Sequence, residues 1–437
     1  MTLSHASIQA LNDRAHDLIP GGAHTYAKGD DQYPVSAPPF IARGKGCHAW
    51  DLAGREFIEY GMGLRAVTLG HAFEPVVQAA MQALQQGTNF TRPSLLELQC
   101  AEQLQAMIPG AEMVKFCKDG SMAVDGAIRL ARAHTGRDLV AMCGDHPFFS
   151  THDWFIGTTE MNAGIPTATQ QQVLKFGYND LESLRALFDQ HPGQIACVML
   201  EAARTEEPAP QYLQQLQALT RAQGAVLVFD EMITGFRWHN GGAQTVYGVT
   251  PDLSTFGKGM ANGFAVSALA GRRELMQLGG ARHDRNRVFL LSTTHGAETH
   301  GLAAAMATMQ FYQQHPVVAT LHARGERLRL GFDDAAARHG LQAQVALISR
   351  DCNLLFVMRD QQARPSQAFR TLFMQELVRR GVLAPSFVVS YSHSDADIDH
   401  TVEAIDAAFA VYRRALDGDI NTFLEGRPVQ PAVRKRG

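Results

Sequence analysis

One lysine stands among glycines in an otherwise small and apolar stretch: Lys258, in DLSTFGKGMANGF at residues 252–264. A lysine amine can condense with an aldehyde once burial lowers its pKa and leaves it neutral, whereas a lysine that only snorkels along a loop stays a solvated cation. The stretch is no nucleotide-triphosphate loop, because the serine or threonine after the lysine and the glycine five positions before it are missing. Asp230 ends the apolar run AVLVFDE at 225–231. At the carboxyl end of a buried parallel strand, where ligands bind, a carboxylate needs a cationic partner, although an aspartate there also serves as a plain helix cap.

Asp119, Gly120 and Ser121 open a helical pattern directly after the strand-like run 113–118. Free N–H groups and the helix dipole make such a start an anion site, with the Ser121 hydroxyl as a further donor; N-capping by Asp119 or Ser121 is the simpler reading of the same residues. Clustered hydroxyls in LLSTTHGAETHG, 290–301, enter another helix. His295, Glu298 and His300 lack the HExxH spacing that puts two ligands on one helical face, so no metal site is expected there. Taken together, an anion-binding helix start, a carboxylate at a strand end, a lysine in a glycine loop and a hydroxyl cluster suit pyridoxal 5′-phosphate (PLP). The phosphate takes the helix start, the ring nitrogen needs an aspartate to stay protonated, and the aldehyde needs an amine.

The surrounding sequence supplies the elements to position these groups. Runs 138–144, 195–201 and 225–231 are apolar on nearly every residue and are separated by helical patterns, including 121–136, closed by Gly136, and 210–224. Strands buried on both faces read this way, so an α/β fold with a parallel sheet is expected, its sites at the carboxyl ends of the strands. The short runs from residue 36 to 63 read as an antiparallel meander after an N-terminal helix. From residue 316 a new unit begins, with long helices at 319–340, 365–381 and 396–416 and a strand at 354–359. The expected division is therefore residues 1–65 and 316–425 in a small domain, 66–315 in a large one, and 426–437 in a flexible tail.

The chain has 437 residues, 46% hydrophobic and 19% charged, with a net charge of −4, an ordinary globular composition that argues against a bulk nucleic-acid or anionic-membrane binder. Its six cysteines are widely spaced with no CxxC pair, and no leader or long apolar span is read, which points to the cytoplasm.

The stretches LIPGGAHTY, ARGKGCHAWDLAGREFIEY, TLGHAFEPV, IRLARAHTGRD, FDEMITGFR, YGVTPDLSTFGKGMANGF and GVLAPS resemble the class III aminotransferases of PLP fold type I, and among them the glutamate-1-semialdehyde aminomutase branch. The resemblance implies a large domain with a mostly parallel seven-stranded sheet and a smaller α+β domain from both termini. It makes Lys258 the lysine that forms the imine with the cofactor and shuttles the proton, and Asp230 the partner of the pyridine nitrogen. Asp119, Gly120 and Ser121 fall at the phosphate turn, and Glu201 matches a glutamate near the cofactor. His146 falls at the ring-stacking position, with Phe148 and Phe149 as rivals. Thr294 sits where a threonine reaches the phosphate of a neighbouring subunit, which implies a homodimer with shared sites.

The departures bear on substrate. The family's Asn-Ser-Gly-Thr is Lys118-Asp119-Gly120-Ser121 here. The aminomutase's carboxylate-binding arginine after its PGG turn is absent, leaving Tyr26 and Lys28, while Arg65 replaces a family glycine. Arg65, Tyr26, Lys28 and Phe149 are the expected substrate-binding residues. The expected reaction moves an amino group from an amino-acid donor to a small aldehyde or ketone by a ping-pong mechanism. An intramolecular amino shift and a non-catalytic binding role are the other readings.

Overall fold

The computed structural model describes residues 4–434. Of these, residues up to Phe73 together with Ala319–Ala432 form one compact unit, and Glu74–Val318 form the other.

In the terminal unit, β1 (Ile41–Lys45), β2 (His48–Asp51) and β3 (Glu56–Glu59) make the antiparallel meander. The central unit contributes β4 (Met113–Cys117), β5 (Leu139–Cys143), β6 (Val173–Phe176), β7 (Ile195–Leu200), β8 (Val226–Asp230), β9 (Leu253–Phe256) and β10 (Ser267–Gly271). Back in the terminal unit, β11 (Val345–Ile348) pairs with β12 (Leu355–Met358), and β13 (Val382–Leu383) joins β3 in parallel, so the meander's sheet is closed by the C-terminal part of the chain. Phenylalanines cement this unit: Phe332 lies 5.0 Å from Phe409, and Phe356 5.1 Å from Phe373, each edge to face.

The central sheet has seven strands in the order β4-β10-β9-β8-β7-β5-β6. Only β10 runs against its neighbours; the other strands point the same way and deliver their carboxyl ends to one edge. Every residue of β7 and of β8 is buried, which is why their sequences carry no polar alternation. Val140, Met142, Cys197, Met199, Val226 and Val228 form one core with Val124, Ala127 and Ala131 of helix Gly120–Thr135. Gly136 ends that helix in the left-handed conformation, φ 68°, donating its N–H to Arg132 O.

The division between units differs from the expected one, falling after Phe73 and inside the first turn of helix Val317–Arg338. The expected flexible tail is a second correction. Val429 is 2% exposed and gives its N–H to Thr371 Oγ1 at 2.8 Å, and Gln430 N–H bonds Asp31 O. A single buried valine with satisfied backbone is enough to seat a segment whose composition reads as loose. Residues 435–437 lie outside the described residues. Among the described residues no helix is long and apolar enough to cross a membrane, and all six cysteines are unbridged and buried.

Candidate active site

Five of the parallel strands, β4, β5, β7, β8 and β9, deliver the candidate residues to the same edge of the central sheet. Asp230 is the last residue of β8, 4% exposed. Its Oδ1 accepts the Met232 N–H at 2.9 Å and the Thr255 hydroxyl at 3.1 Å. Thr255 is its register partner on β9 and is fully buried, so the sheet itself sets this bond. Burial, first, and the nearby Glu201 push the Asp230 carboxyl up to about 7, against the opposing pull of Lys258 and the two hydrogen bonds. The neighbouring Glu231 has a different task. Its carboxylate accepts the Ala243 and Gln244 N–H groups at 2.8 Å, together with the Thr234 hydroxyl, and folds the segment between them.

Lys258 begins the short helical turn Lys258–Ala261 just past β9 and is half-buried. Its φ is 45°, a left-handed backbone that costs a non-glycine residue roughly 1–2 kcal/mol and is characteristic of functional loops. Gly263 is needed for its φ of 96°. Gly257 is extended and is needed for another reason: a Cβ there would lie 2.5 Å from Ser267 Oγ and 2.7 Å from Met232 Sδ. Gly257→Ala is therefore expected to cost about 1–3 kcal/mol by overpacking and to push the lysine turn outward. Urea melts and a cofactor titration check both effects; an unchanged midpoint and affinity refute them.

Asp119 caps helix Gly120–Thr135, accepting the Met122 N–H at 2.9 Å. Ser121 is buried, and its Oγ accepts the Thr151 N–H at 3.0 Å, which leaves the hydroxyl proton to donate. A Cβ at Gly120 would meet Met232 Sδ at 2.8 Å. The Met232 thioether thus touches both glycine turns. Lys118, ahead of the cap, pairs with Glu298 at 2.5 Å.

Glu201 follows β7 and is 2% exposed. Arg204 Nη1 donates to its Oε1 at 2.6 Å, while Oε2 is buried with no hydrogen-bond partner among the described residues. His146, beyond β5, is 4% exposed, and its Nδ1 accepts the Glu201 N–H at 3.1 Å. Burial holds its pKa below the ordinary value, so the ring is neutral with the proton on Nε2. Its ring centroid lies 5.1 Å from Tyr178 and 6.0 Å from Phe149.

The sheet edge thus brings Asp119, Gly120, Ser121, His146, Glu201, Asp230 and Lys258 together. Thr294 lies exposed on the loop before helix Thr299–Gln314, its carbonyl accepting from Asn89 Nδ2 at 2.9 Å. Phe149 is a correction. It is 2% exposed and packs in the sheet-and-helix core 5.9 Å from Phe155, with no surface left to meet a substrate. Tyr26, Lys28 and Arg65 belong to the terminal unit. Tyr26 and Lys28 share one exposed turn. Arg65 ends four consecutive left-handed residues, φ 41°, 58°, 56° and 72° from Met62 onward, and its Nε and Nη2 donate to Asn353 Oδ1 at 2.8 Å and Ser386 Oγ at 3.3 Å. Thr255, Arg204 and Met232 were not among the expected site residues. Reading STF as a strand beside AVLVFD would have exposed Thr255, because that register sets it opposite Asp230.

The Aminotransferase class-III family matches residues 30–409. The chain is a class III aminotransferase. It is 30% identical over 424 residues to a 3-aminobutyryl-CoA aminotransferase of Cloacimonas acidaminovorans (strain Evry), covering 95% of this chain and 99% of that one. Among solved structures it is similar to the PLP internal aldimine form of the Sphingopyxis sp. MTA144 FumI protein, with a TM-score of 0.87 at 27% identity over 97% and 99% of the two chains. An omega-transaminase from Sphaerobacter thermophilus gives 0.83 at 26% identity over 93% and 98%. The aminotransferase is a PLP-dependent enzyme of fold type I, which takes a small-molecule amino donor and a carbonyl acceptor. Its residues fit that cofactor: a buried carboxylate with a raised pKa asks for a cation such as a protonated ring nitrogen, an unpartnered Glu201 oxygen lies beside it, and two turns are kept clear by glycine.

Proposed function

We propose that this aminotransferase moves an amino group from an amino-acid donor to a small aldehyde or ketone in two half-reactions at one site. The observation that carries the assignment of roles is the buried Asp230, anchored by Thr255 and Met232 and within electrostatic reach of Lys258. When bound, PLP supplies an aldehyde carbon for amine exchange and a ring that accepts electrons. Asp230 would hold the ring nitrogen's proton. The N-terminal turn at Asp119, Gly120 and Ser121 would receive the phosphate, with the helix dipole favouring the anion. His146, neutral and fixed by the Glu201 N–H, would lie along the ring. Lys258 Nζ takes the proton from the carbon that bears the substrate amine and returns a proton in the reverse half-reaction.

The relative's substrate, 3-aminobutyryl-CoA, carries its amine on the carbon β to a thioester, which supports a β-carbonyl compound among the acceptors. Arg65 is the proposed carboxylate or phosphate contact, because its guanidinium presents a planar fork of donors; Tyr26 and Lys28 are proposed to contribute from their shared turn. A homodimer in which Thr294 reaches the partner's phosphate, working in the cytoplasm, completes the reading; six unbridged cysteines support that compartment.

The test is a panel of aldehydes, ketones and β-keto thioesters incubated with holoenzyme, with and without an amino-acid donor. The expected result is amine formed only with the donor present, matched mole for mole by the donor's keto acid. Turnover without the donor overturns it in favour of an internal amino shift, and uniform inactivity overturns the acceptor class.

A further inference from the structure

The terminal unit holds a convergence of metal-binding side chains that the proposed transamination does not use. Cys47 and His48 lead into β2, and Asp397 lies in the first turn of helix Asp395–Leu416. Cys47 Sγ is 3.4 Å from Asp397 Oδ2, His48 Nε2 is 3.1 Å from Asp397 Oδ1, and one ligand atom from each residue lies within 4.8 Å of the others. Ligands at about 2.0–2.3 Å from a tetrahedral zinc ion sit roughly 3.3–3.7 Å from one another, so these atoms need only small adjustments to enclose one.

The wider surroundings favour the same reading. His48 Nδ1 is buried without a hydrogen-bond partner among the described residues and lies 2.8 Å from Oε1 of the exposed Glu56, whose rotation would align the bond that turns the other nitrogen's lone pair toward a metal. Asp397 Oδ2 accepts the Ser394 N–H at 2.8 Å and its hydroxyl at 2.6 Å, which locks the carboxylate's orientation. Cys47 is 1% exposed and His48 about a third exposed, so a cation would enter past the imidazole. Arg324 and the positive end of the helix oppose a cation, and two anionic ligands offset them.

We propose that Cys47, His48 and Asp397 form a site for a zinc-class divalent cation, with a fourth position open to water. Thiolate, imidazole and carboxylate together are a borderline-soft donor set, which suits zinc over magnesium or calcium. On binding, the Cys47 sulfur gives its proton to solvent and forms the metal–sulfur bond; no electron is transferred. Spacing rules cannot find this site, because its cysteine and aspartate are 350 positions apart.

Cobalt(II) titration of chelator-treated holoenzyme, read as a difference spectrum so that the PLP absorbance cancels, tests the site. One cobalt per chain is expected, with a thiolate-to-cobalt charge-transfer band that zinc removes. Cys47→Ser should abolish the band, Asp397→Asn should do the same, and Glu56→Gln should keep the stoichiometry while weakening binding by about 10- to 100-fold. Far-UV circular dichroism confirms that each variant is folded. A wild type without the band, or a band that survives in Cys47→Ser, overturns the proposal.

Discussion

Replacing Lys258 by alanine is expected to lower the rate of transamination by about a thousandfold or more, with the fold intact. In the proposed reaction the lysine has two tasks that no neighbour can assume: to supply the amine that a bound cofactor's aldehyde exchanges, and to carry the proton between carbons. General-base transfer alone is worth about 10²–10⁴ in rate. Alanine adds no bulk at a half-buried turn, so the fold should survive, the loss being that of the lysine's pull on the Asp230 carboxyl. Single-turnover kinetics with an amino-acid donor, together with the absorbance of the bound cofactor, measure the loss. A variant retaining a tenth of the wild-type rate would remove Lys258 from the mechanism.

The second large effect is expected at Asp230, and it appears in stability as well as in rate. The carboxyl titrates near 3.8 when unfolded and at about 7 in the fold. The folded protein therefore holds the proton more tightly, and the stabilisation that this proton confers is fully present below the unfolded value and is lost as pH rises through about 7. The whole shift corresponds to about 4 kcal/mol, at 1.4 kcal/mol per unit. Cofactor-free protein compared at about pH 5 and about pH 8 should lose on the order of 3 kcal/mol that Asp230→Asn retains. With PLP bound, a protonated ring nitrogen beside the carboxylate should shrink the slope. The same variant should slow transamination by about a hundredfold or more, since a neutral amide does not hold that nitrogen's proton. Urea melts across pH, with and without PLP, measure the first effect; parallel slopes for wild type and variant would show that another group carries it.

Much of this arrangement is legible in the sequence. The unbroken apolar runs of β7 and β8 predict strands covered on both faces, and Asp230 and Lys258 are singled out by an acidic strand end and a lysine between glycines taken together with the helix start at Asp119–Ser121. What escaped was decided by neighbours in space. β9 contains Ser254 and Thr255, and β10 is the small-residue run SALAG, so neither shows an apolar signal; the sheet supplies the burial that their sequences do not advertise. Phe149 could be read as a pocket aromatic or a core aromatic, and only the packing of helix Gly120–Thr135 against the sheet decides for the core. Val429 shows the same limit at the chain's end, where one apolar residue in a polar segment found a seat.

Met232 has a consequence for how this enzyme can vary. Its thioether stands against both Gly120 and Gly257, so one flexible side chain spaces the helix start at Gly120 from the turn that carries Lys258. A side chain at Gly120 or Gly257 would need a residue smaller than methionine at position 232 to make room for it, so the three positions are sterically coupled.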